Sequence, residues 1–224
     1  MKSLFFDLDG TIVDSSEGIF ASVRYAMAKM QLEPLTDEQL RSFIGPPLSK
    51  SFEKLGLSPE SAAEGVAYYR ENYRVSGIFQ AQVYDGIATF LAQLGRDPEI
   101  SVYLATSKPE VFAKQILEHF QLAAHFDGIY GADMAGERVA KEAVLAYALA
   151  AAGTKDKKQA WMIGDREHDM IGGTLNGVTP VGVLWGFGDQ QELATAGAKY
   201  LVETPLVLAD LITTELTEIS RGIK

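Results

Sequence analysis

Apolar residues occur in several short, unbroken runs, and the segments between the runs place their apolar residues at helical spacing. The runs occupy residues 3–8, 100–105, 128–131, 160–163 and 178–184. An apolar run that does not alternate with polar residues is typical of a strand buried on both faces of a parallel sheet. Strands that alternate with helices build layered folds. The pattern therefore predicts an α/β protein with a doubly wound parallel sheet.

Helix signals occupy the segments between these predicted strands. Apolar residues at helical spacing over 111–120 follow Pro109, a residue that favours a first helical turn. The stretch 141–152 consists largely of strong helix formers. Asn176-Gly177 is a helix stop, because glycine readily adopts the left-handed conformation that ends many helices. These signals predict the crossover helices that a parallel sheet requires.

The segment between the first two predicted strands breaks this alternation. It contains no apolar run that indicates a strand, but it repeats helix starts. Asp14–Glu17 and Thr36–Gln39 resemble capping boxes, and Ser58-Pro59 is an N-cap followed by proline. We expect about four helices here. The predicted domains are a core of residues 1–14 and 83–224 and an inserted helical domain of residues 15–82.

Composition and charge narrow the range of functions. The chain carries 30 acidic and 20 basic residues, a net charge of −10. Such a surface repels phosphate backbones and anionic lipids, which argues against general nucleic-acid or membrane binding. The chain has no cysteine, which excludes disulfides and thiolate chemistry. No run approaches the ~20 apolar residues of a membrane span, and early acidic residues do not fit a signal peptide. We therefore expect a soluble cytoplasmic protein.

Acidic and hydroxyl side chains follow three of the predicted strands. In open α/β sheets, ligands bind beyond the carboxyl ends of the strands, so these side chains should meet at one edge. One carboxylate before a glycine is typical of a turn or cap, but several converging carboxylates repel one another unless a cation is present. Their hard oxygen atoms favour Mg²⁺. The set consists of Asp7 and Asp9, then Thr106, and then Asp165 and Asp169.

The order of these residues resembles the four motifs of the haloacid dehalogenase superfamily. The matching elements are DLDGT at 7–11, Thr106, Lys141 and GDREHD at 164–169. The resemblance covers nearly the whole chain, including a helical cap inserted after the first motif. It implies the Rossmann-like fold of that superfamily. It also implies a Mg²⁺-dependent phosphatase that acts on a small phosphorylated metabolite.

Further segments resemble the phosphoglycolate-phosphatase-like branch of this superfamily. They are FIGPPLSKSF at 43–52 and GVLWGFGDQQEL at 182–193, together with the last motif. In capped phosphatases a loop of the cap reads the leaving group, so the resemblance makes Gly45 a candidate substrate contact. The sequence does not distinguish between four possible substrates, namely phosphoglycolate, sugar phosphates, nucleotides and pyrophosphate. The sequence is also compatible with either a monomer or a homodimer.

The resemblance assigns the catalytic and metal-binding roles. Asp7 is the candidate nucleophile, and a carboxylate nucleophile divides phosphate-ester hydrolysis into two steps. Asp9 is implied to be the general acid that protonates the leaving oxygen and later activates water. The Asp7 carboxylate, the Asp9 main-chain carbonyl and Asp165 are implied to hold Mg²⁺. For Asp169, a role through water or through neighbouring donors is favoured over direct binding.

The phosphate-binding residues are expected beside these carboxylates. Thr106 would donate a hydrogen bond to a phosphoryl oxygen, and Lys141 would supply a positive charge to phosphate and nucleophile. Thr106 or Ser107 could instead cap the following helix, and Ser107 stands where this branch often has Asn. Lys108 is the alternative to Lys141. The full predicted set is Asp7, Gly10, Thr106, Ser107 and Lys141, with Gly45 from the inserted domain.

Two other functions fit part of this pattern. A sugar-phosphate mutase shares DxDGT and would isomerise its substrate. A non-enzymatic receiver-like module also gathers aspartates around Mg²⁺, but it lacks a large insert after the first strand. Three remaining features are interpreted structurally: His168 as a surface or capping residue, Arg166 as exposed, and WGFG at 185–188 as a packed loop near the cap hinge.

Overall fold

The computed structural model describes residues 2–220, so residue 1 and residues 221–224 of the predicted core domain lie outside the described residues. Six strands form one parallel sheet in the order β5-β4-β1-β6-β7-β8, and two short strands, β2 and β3, pair separately. The strands are β1 Lys2–Phe6, β2 Val13–Asp14, β3 Gln82–Val83, β4 Ile100–Pro109, β5 Gly128–Ala132, β6 Ala160–Gly164, β7 Thr179–Val183 and β8 Tyr200–Val202.

Helices connect the parallel strands and pack on the sheet, which confirms the predicted α/β fold. The helix α7 packs on β4 and β5, and α8 packs on β6 and β7. The helices are α1 Ser16–Lys29, α2 Asp37–Arg41, α3 Leu48–Lys54, α4 Pro59–Val75, α5 Ile87–Leu94, α6 Glu110–His119, α7 Lys141–Ala151, α8 Glu167–Asn176, α9 Gln190–Thr195 and α10 Pro205–Ser220.

The central strand β1 lies between β4 and β6, although these strands are far apart in sequence. Phe6 pairs with Leu104 of β4 and with Ile163 of β6. All five residues of β1 are buried, as its unbroken apolar run predicts. Because the strand order reverses here, the segments that follow β1, β4 and β6 emerge side by side.

Backbone contacts divide the chain into two compact units. One comprises the residues up to Ile12 and from Val83 onward, and the other is Val13–Gln82. Within the second unit, α1 and α3 pack against α4. Its interior includes two aromatic pairs, one edge-to-face with ring centroids 5.0 Å apart and one stacked at 5.2 Å, namely Phe43–Phe52 and Tyr69–Tyr73. Its role as a cap stays a prediction.

The helix starts of the second unit differ in how they are capped. Thr36 forms the predicted capping box with Gln39, whose backbone N–H donates to the Thr36 hydroxyl. The predicted box at the start of α1 is wrong, because Ser15 occupies the N-cap without a side-chain cap bond. Asp14 instead accepts from the backbone N–H and the hydroxyl of Ser16. The acidic residue therefore forms a local turn and does not cap the helix.

Two differences concern the sheet. The strand β4 continues to Pro109, with an irregular register between Thr106 and Pro109, so Pro109 is the N-cap of α6 and lies before its first turn. The short edge strand β8 was not predicted, and it pairs with β7 through Val181–Tyr200 and two further pairs. Three residues are too few for an apolar run to indicate a strand.

Candidate active site

Asp7 directly follows β1 and is almost completely buried, with 6% of its surface exposed. Its backbone N–H donates to the carbonyl oxygen of Ile163, which extends the pairing of β1 with β6 by one residue. The Lys141 ammonium lies 2.7 Å from Asp7 Oδ1, and the nearby Thr106 side chain acts to lower the pKa of the same carboxyl. Three separate segments therefore meet at the Asp7 side chain.

Lys141, the first residue of α7, joins two acidic segments. Besides Asp7, its ammonium contacts Asp169 Oδ1 at 2.8 Å and donates to the carbonyl oxygen of Ala105 at 3.0 Å. Burial by itself would lower the pKa of Lys141, but the charges of Asp169 and Asp7 outweigh burial and raise that pKa. The ammonium therefore stays charged between these two carboxylates.

Lys108 and Asp9 form a second ion pair at the same edge. The Lys108 ammonium donates to both Asp9 carboxylate oxygens, at 2.7 and 2.9 Å. The backbone N–H of Lys108 donates to the Thr106 hydroxyl. No side-chain bond caps α6, so the interpretation of Thr106 or Ser107 as its cap is wrong. Thr106 is buried and Ser107 is half-buried.

Asp7, Asp165 and Asp169 form a compact cluster whose carboxylate oxygens lie within 4.8 Å of one another. Burial, with a contribution from Asp169, raises the pKa of Asp7 from 3.8 to about 6. Burial, with contributions from Asp169 and Asp7, also raises the pKa of Asp165 well above its ordinary value. Buried carboxylates that repel one another fit a hard divalent cation, which would favour their charged forms.

The cluster differs from the predicted metal-binding set in one residue. The Asp9 side chain is bound to Lys108, and the third carboxylate of the cluster belongs to Asp169. Asp169 also accepts a hydrogen bond from the backbone N–H of Arg166, which anchors it at the start of α8. The assignment of the Asp9 main-chain carbonyl to the metal stays a prediction.

The two glycines of the predicted substrate-binding set have left-handed backbone conformations, with φ of 80° at Gly10 and 100° at Gly45. A Cβ at Gly10 would overlap the Asp165 carboxylate, so the turn after Asp9 needs glycine for both conformation and space. Gly45 is half-buried in the helical unit. Its contact with substrate stays a prediction.

The segment 185–188, which we call the WGFG loop, contacts the site in a way that sequence reasoning missed. The backbone N–H of Phe187 donates to Asp165 Oδ2 at 2.8 Å, and the Trp185 indole N–H donates to the carbonyl oxygen of Thr11 at 3.1 Å. The Thr11 hydroxyl donates to Asp165 Oδ1. The available signal was a glycine-rich segment directly after β7, at the edge where the other site segments emerge.

Arg166 was interpreted as exposed, but it is largely covered. Its Nε lies 2.8 Å from Glu192 Oε1, and only 19% of its side chain is exposed. The same Glu192 oxygen accepts from the backbone N–H of Glu167. Burial lowers the pKa of the neighbouring His168. The start of α8 is therefore bound to α9 on one side and to Lys141 on the other.

The sequence matches the haloacid dehalogenase-like hydrolase family over residues 4–183. The chain therefore belongs to this family, as the motifs predicted. In the part of the chain that the structure describes, no helix is both long and apolar enough to cross a membrane.

Known proteins resemble the chain over most of its length. A 5'-nucleotidase of Pseudomonas aeruginosa is 42% identical over 193 residues, 85% of this chain and 86% of that protein. A phosphoglycolate phosphatase 1 of the same organism is 27% identical over 94% of this chain and 78% of that protein. The crystal structure of a predicted phosphatase from Clostridium acetobutylicum is 42% identical, with a TM-score of 0.90 and coverage of 95% and 98%.

One relative is named as a kinase and not as a phosphatase or nucleotidase. The tyrosine-protein kinase PtkA of Mycobacterium tuberculosis is 38% identical over 185 residues, which is 83% of this chain and 62% of that protein. The chain thus spans less than two thirds of PtkA. The family and the relatives named as phosphatases define the enzyme class of this chain, which is a phosphoric monoester hydrolase.

Proposed function

We propose that the protein is a Mg²⁺-dependent phosphatase that hydrolyses a small phosphorylated metabolite through an aspartyl-phosphate on Asp7. The observation that carries the proposal is the setting of Asp7. This carboxylate is buried at the carboxyl end of the central strand, with Lys141 paired to it, Thr106 beside it and two further carboxylates within 4.8 Å. A nucleophile, phosphate ligands and metal ligands thus meet at one place.

In the first step, an Asp7 oxygen attacks phosphorus, and the bond from phosphorus to the leaving oxygen breaks. Asp9 gives its proton to that oxygen, so the alcohol leaves neutral. Lys141 and Thr106 bind the phosphoryl oxygens, where charge accumulates. Lys108 contacts both Asp9 oxygens and so holds the side chain in place, and one of these contacts must open when Asp9 carries the proton for the leaving group.

In the second step, Asp9 takes a proton from a water molecule while the water oxygen attacks phosphorus. The bond between phosphorus and the Asp7 oxygen breaks, and inorganic phosphate leaves. Asp7 returns to its carboxylate form, and Asp9 is protonated again for the next substrate. The same residue thus acts as acid and then as base.

The charge balance of the site supports a bound cation. The three clustered aspartates and Lys141 leave a formal excess of two negative charges. Asp7, Asp165 and the Asp9 main-chain carbonyl would hold Mg²⁺, with Asp169 positioned through Lys141 or water. When bound, the ion would neutralise charge between an anionic nucleophile and an anionic phosphate.

A substrate panel with and without EDTA tests this proposal. Phosphate release would be measured on phosphoglycolate, sugar phosphates, nucleoside 5'-monophosphates and pyrophosphate. The 42% identity to a 5'-nucleotidase makes nucleoside 5'-monophosphates the first class to examine. We expect release that stops with EDTA and returns with Mg²⁺. Full release in EDTA would contradict the metal requirement.

The substitution Asp7→Asn tests the nucleophile separately. We expect turnover to fall by about 10⁴-fold or more, because the amide cannot form the acyl-phosphate. Mass spectrometry of the quenched wild type should find phosphate on Asp7. Unchanged turnover in a folded Asp7→Asn protein would contradict the assignment.

The same assays separate the rival activities. A sugar-phosphate mutase would convert one isomer into another with little phosphate release. A receiver-like module would accept phosphate once and would not turn over. Because PtkA is a relative, ATP with a tyrosine-containing peptide belongs in the panel. Phosphotyrosine formed without metabolite hydrolysis would favour a kinase over the proposed phosphatase.

A further inference from the structure

We infer that the WGFG loop is a positioning element of the metal site, in which Trp185 holds the loop so that Phe187 orients Asp165. The inference rests on the proposed Mg²⁺ site. It assigns to the Trp185 side chain a contribution to metal affinity, although the indole bears no atom that suits a hard cation.

The hydrogen bonds form a closed circuit around Asp165. One carboxylate oxygen accepts from the Phe187 backbone N–H at 2.8 Å, and the other accepts from the Thr11 hydroxyl at 3.3 Å. The Trp185 indole donates to the carbonyl oxygen of the same Thr11 at 3.1 Å. The loop and the turn after Asp9 are thus bound both to Asp165 and to each other.

The two glycines of the loop bring its backbone against Asp165. A Cβ at Gly186 would overlap the carbonyl oxygen of Gly10 and the Asp165 side chain, and a Cβ at Gly188 would overlap the Asp165 carbonyl oxygen. Asp165 is fully buried, so its carboxylate has no solvent-side alternative to these donors. An approach this close fits a loop that fixes the rotamer of the carboxylate.

Hydrogen bonds to a metal-binding carboxylate set its orientation before the ion arrives. Loss of such a partner usually weakens metal affinity about 10–100-fold. Trp185 acts one bond further out, through the loop backbone and Thr11. We therefore expect Trp185→Phe, which keeps an aromatic ring and removes the indole N–H, to weaken Mg²⁺ binding about 10-fold.

The chain supplies a matched control, because it contains two tryptophans. Trp161 lies on β6 beneath the Lys2 ammonium, which is 3.9 Å from its ring centroid, and its ring lies 5.8 Å from the Tyr200 ring at a tilt of 34°. Trp161→Phe therefore makes the same chemical change away from the carboxylate cluster. It also leaves Trp185 as the sole tryptophan, so indole fluorescence then reports on the loop alone.

Mg²⁺ affinity would be measured by calorimetry on the wild type and both variants, with activity followed as a function of Mg²⁺. We expect a Kd about 10-fold higher in Trp185→Phe, a kcat at saturating Mg²⁺ close to that of the wild type, and an unchanged Kd in Trp161→Phe. Indole emission should change with Mg²⁺ in Trp161→Phe and stay constant in Trp185→Phe.

The outcomes separate this inference from the proposed function. If the wild type binds no Mg²⁺, the proposed cofactor is wrong and the inference falls with it. If the wild type binds Mg²⁺ and Trp185→Phe binds it equally well, only the inference is wrong, and the loop merely packs. Should Trp185→Phe fail to fold, the fluorescence of Trp161→Phe decides, and emission unaltered by saturating Mg²⁺ overturns the inference.

Discussion

Lys141 and Lys108 lie at the same edge of the sheet in different settings. Lys141 bridges two buried carboxylates and a carbonyl oxygen, and these acceptors come from three segments of the chain. Lys108 holds both oxygens of one carboxylate, Asp9, whose side chain is 13% exposed. The first lysine therefore balances a cluster of buried carboxylates, whereas the second, itself buried, pairs with a single carboxylate and orients it.

Replacement of Lys141 should have the largest effect. In Lys141→Met, Asp7 and Asp169 lose their shared counter-charge while they stay buried. Removal of one partner from a buried ion pair typically costs about 3–5 kcal/mol of unfolding free energy, and activity should fall below detection. Urea unfolding and phosphate release measure the two effects.

The exposed Lys114 provides a control for Lys141→Met. Its side chain is 49% exposed and pairs with Glu110 one helical turn away. Lys114→Met should change stability by less than about 0.5 kcal/mol. Equal losses in the two variants would show that burial does not distinguish Lys141.

The pH dependence of stability in the metal-free protein tests the buried carboxylates that Lys141 contacts. Because the pKa of Asp7 rises from 3.8 to about 6 on folding, the folded state holds its proton where the unfolded chain has lost it. Stability should therefore fall as pH rises from about 4 to about 6, by up to about 3 kcal/mol from Asp7. The raised pKa of Asp165 acts in the same direction.

Thermal unfolding in EDTA across this pH range measures that fall. Saturating Mg²⁺ should flatten the dependence, since the ion binds the charged carboxylates. Asp7→Asn should make the fall shallower in EDTA, because the amide does not titrate, and the part due to Asp165 should remain. If the metal-free wild type instead gained stability from pH 4 to pH 6, the sign of the Asp7 contribution would be wrong.

Lys108→Met tests the second lysine of the comparison. The Lys108 and Asp9 side chains are only 6% and 13% exposed, so Asp9 would lose its counter-charge in a largely buried setting. One carboxylate is left uncompensated here and two in Lys141→Met, so the stability loss should be smaller, about 1–3 kcal/mol. The kcat should fall about 10–100-fold, because the general acid is no longer oriented. A stability loss as large as that of Lys141→Met would remove the distinction between the two lysines.

The features of the fold that were predictable are those with a local cause. Unbroken apolar runs predict strands buried on both faces, and β1, β4, β6 and β7 have such runs. The meeting of Asp7 with Asp165 follows from topology, because consecutive carboxyl ends of a parallel sheet share one edge. The three-residue β8 lacked a local signal, since an edge strand of that length depends on its neighbour.

Contacts between side chains distant in sequence were not predictable. Lys108 and Asp9 are 99 residues apart, and Phe187 and Asp165 are 22 apart. Strand register and rotamers decide such pairs, and neither leaves a periodic pattern. The same holds for Arg166, whose partner Glu192 lies on another helix. The WGFG loop was therefore visible as a loop, while its contact with Asp165 was not.

The smallest effect is expected where an ion pair touches the site segments but not the carboxylate cluster. Glu192→Gln removes the charge that binds Arg166 and keeps an acceptor for the Glu167 backbone. The Glu192 side chain is 25% exposed, so the loss should be about 0.5–1 kcal/mol. Glu53→Gln, in the exposed pair with Lys50, should cost still less. Chemical denaturation would measure the loss of unfolding free energy in each variant. If Glu192→Gln lost as much as Lys141→Met, the contacts at the start of α8 would stabilise this edge of the sheet more than the buried charges do.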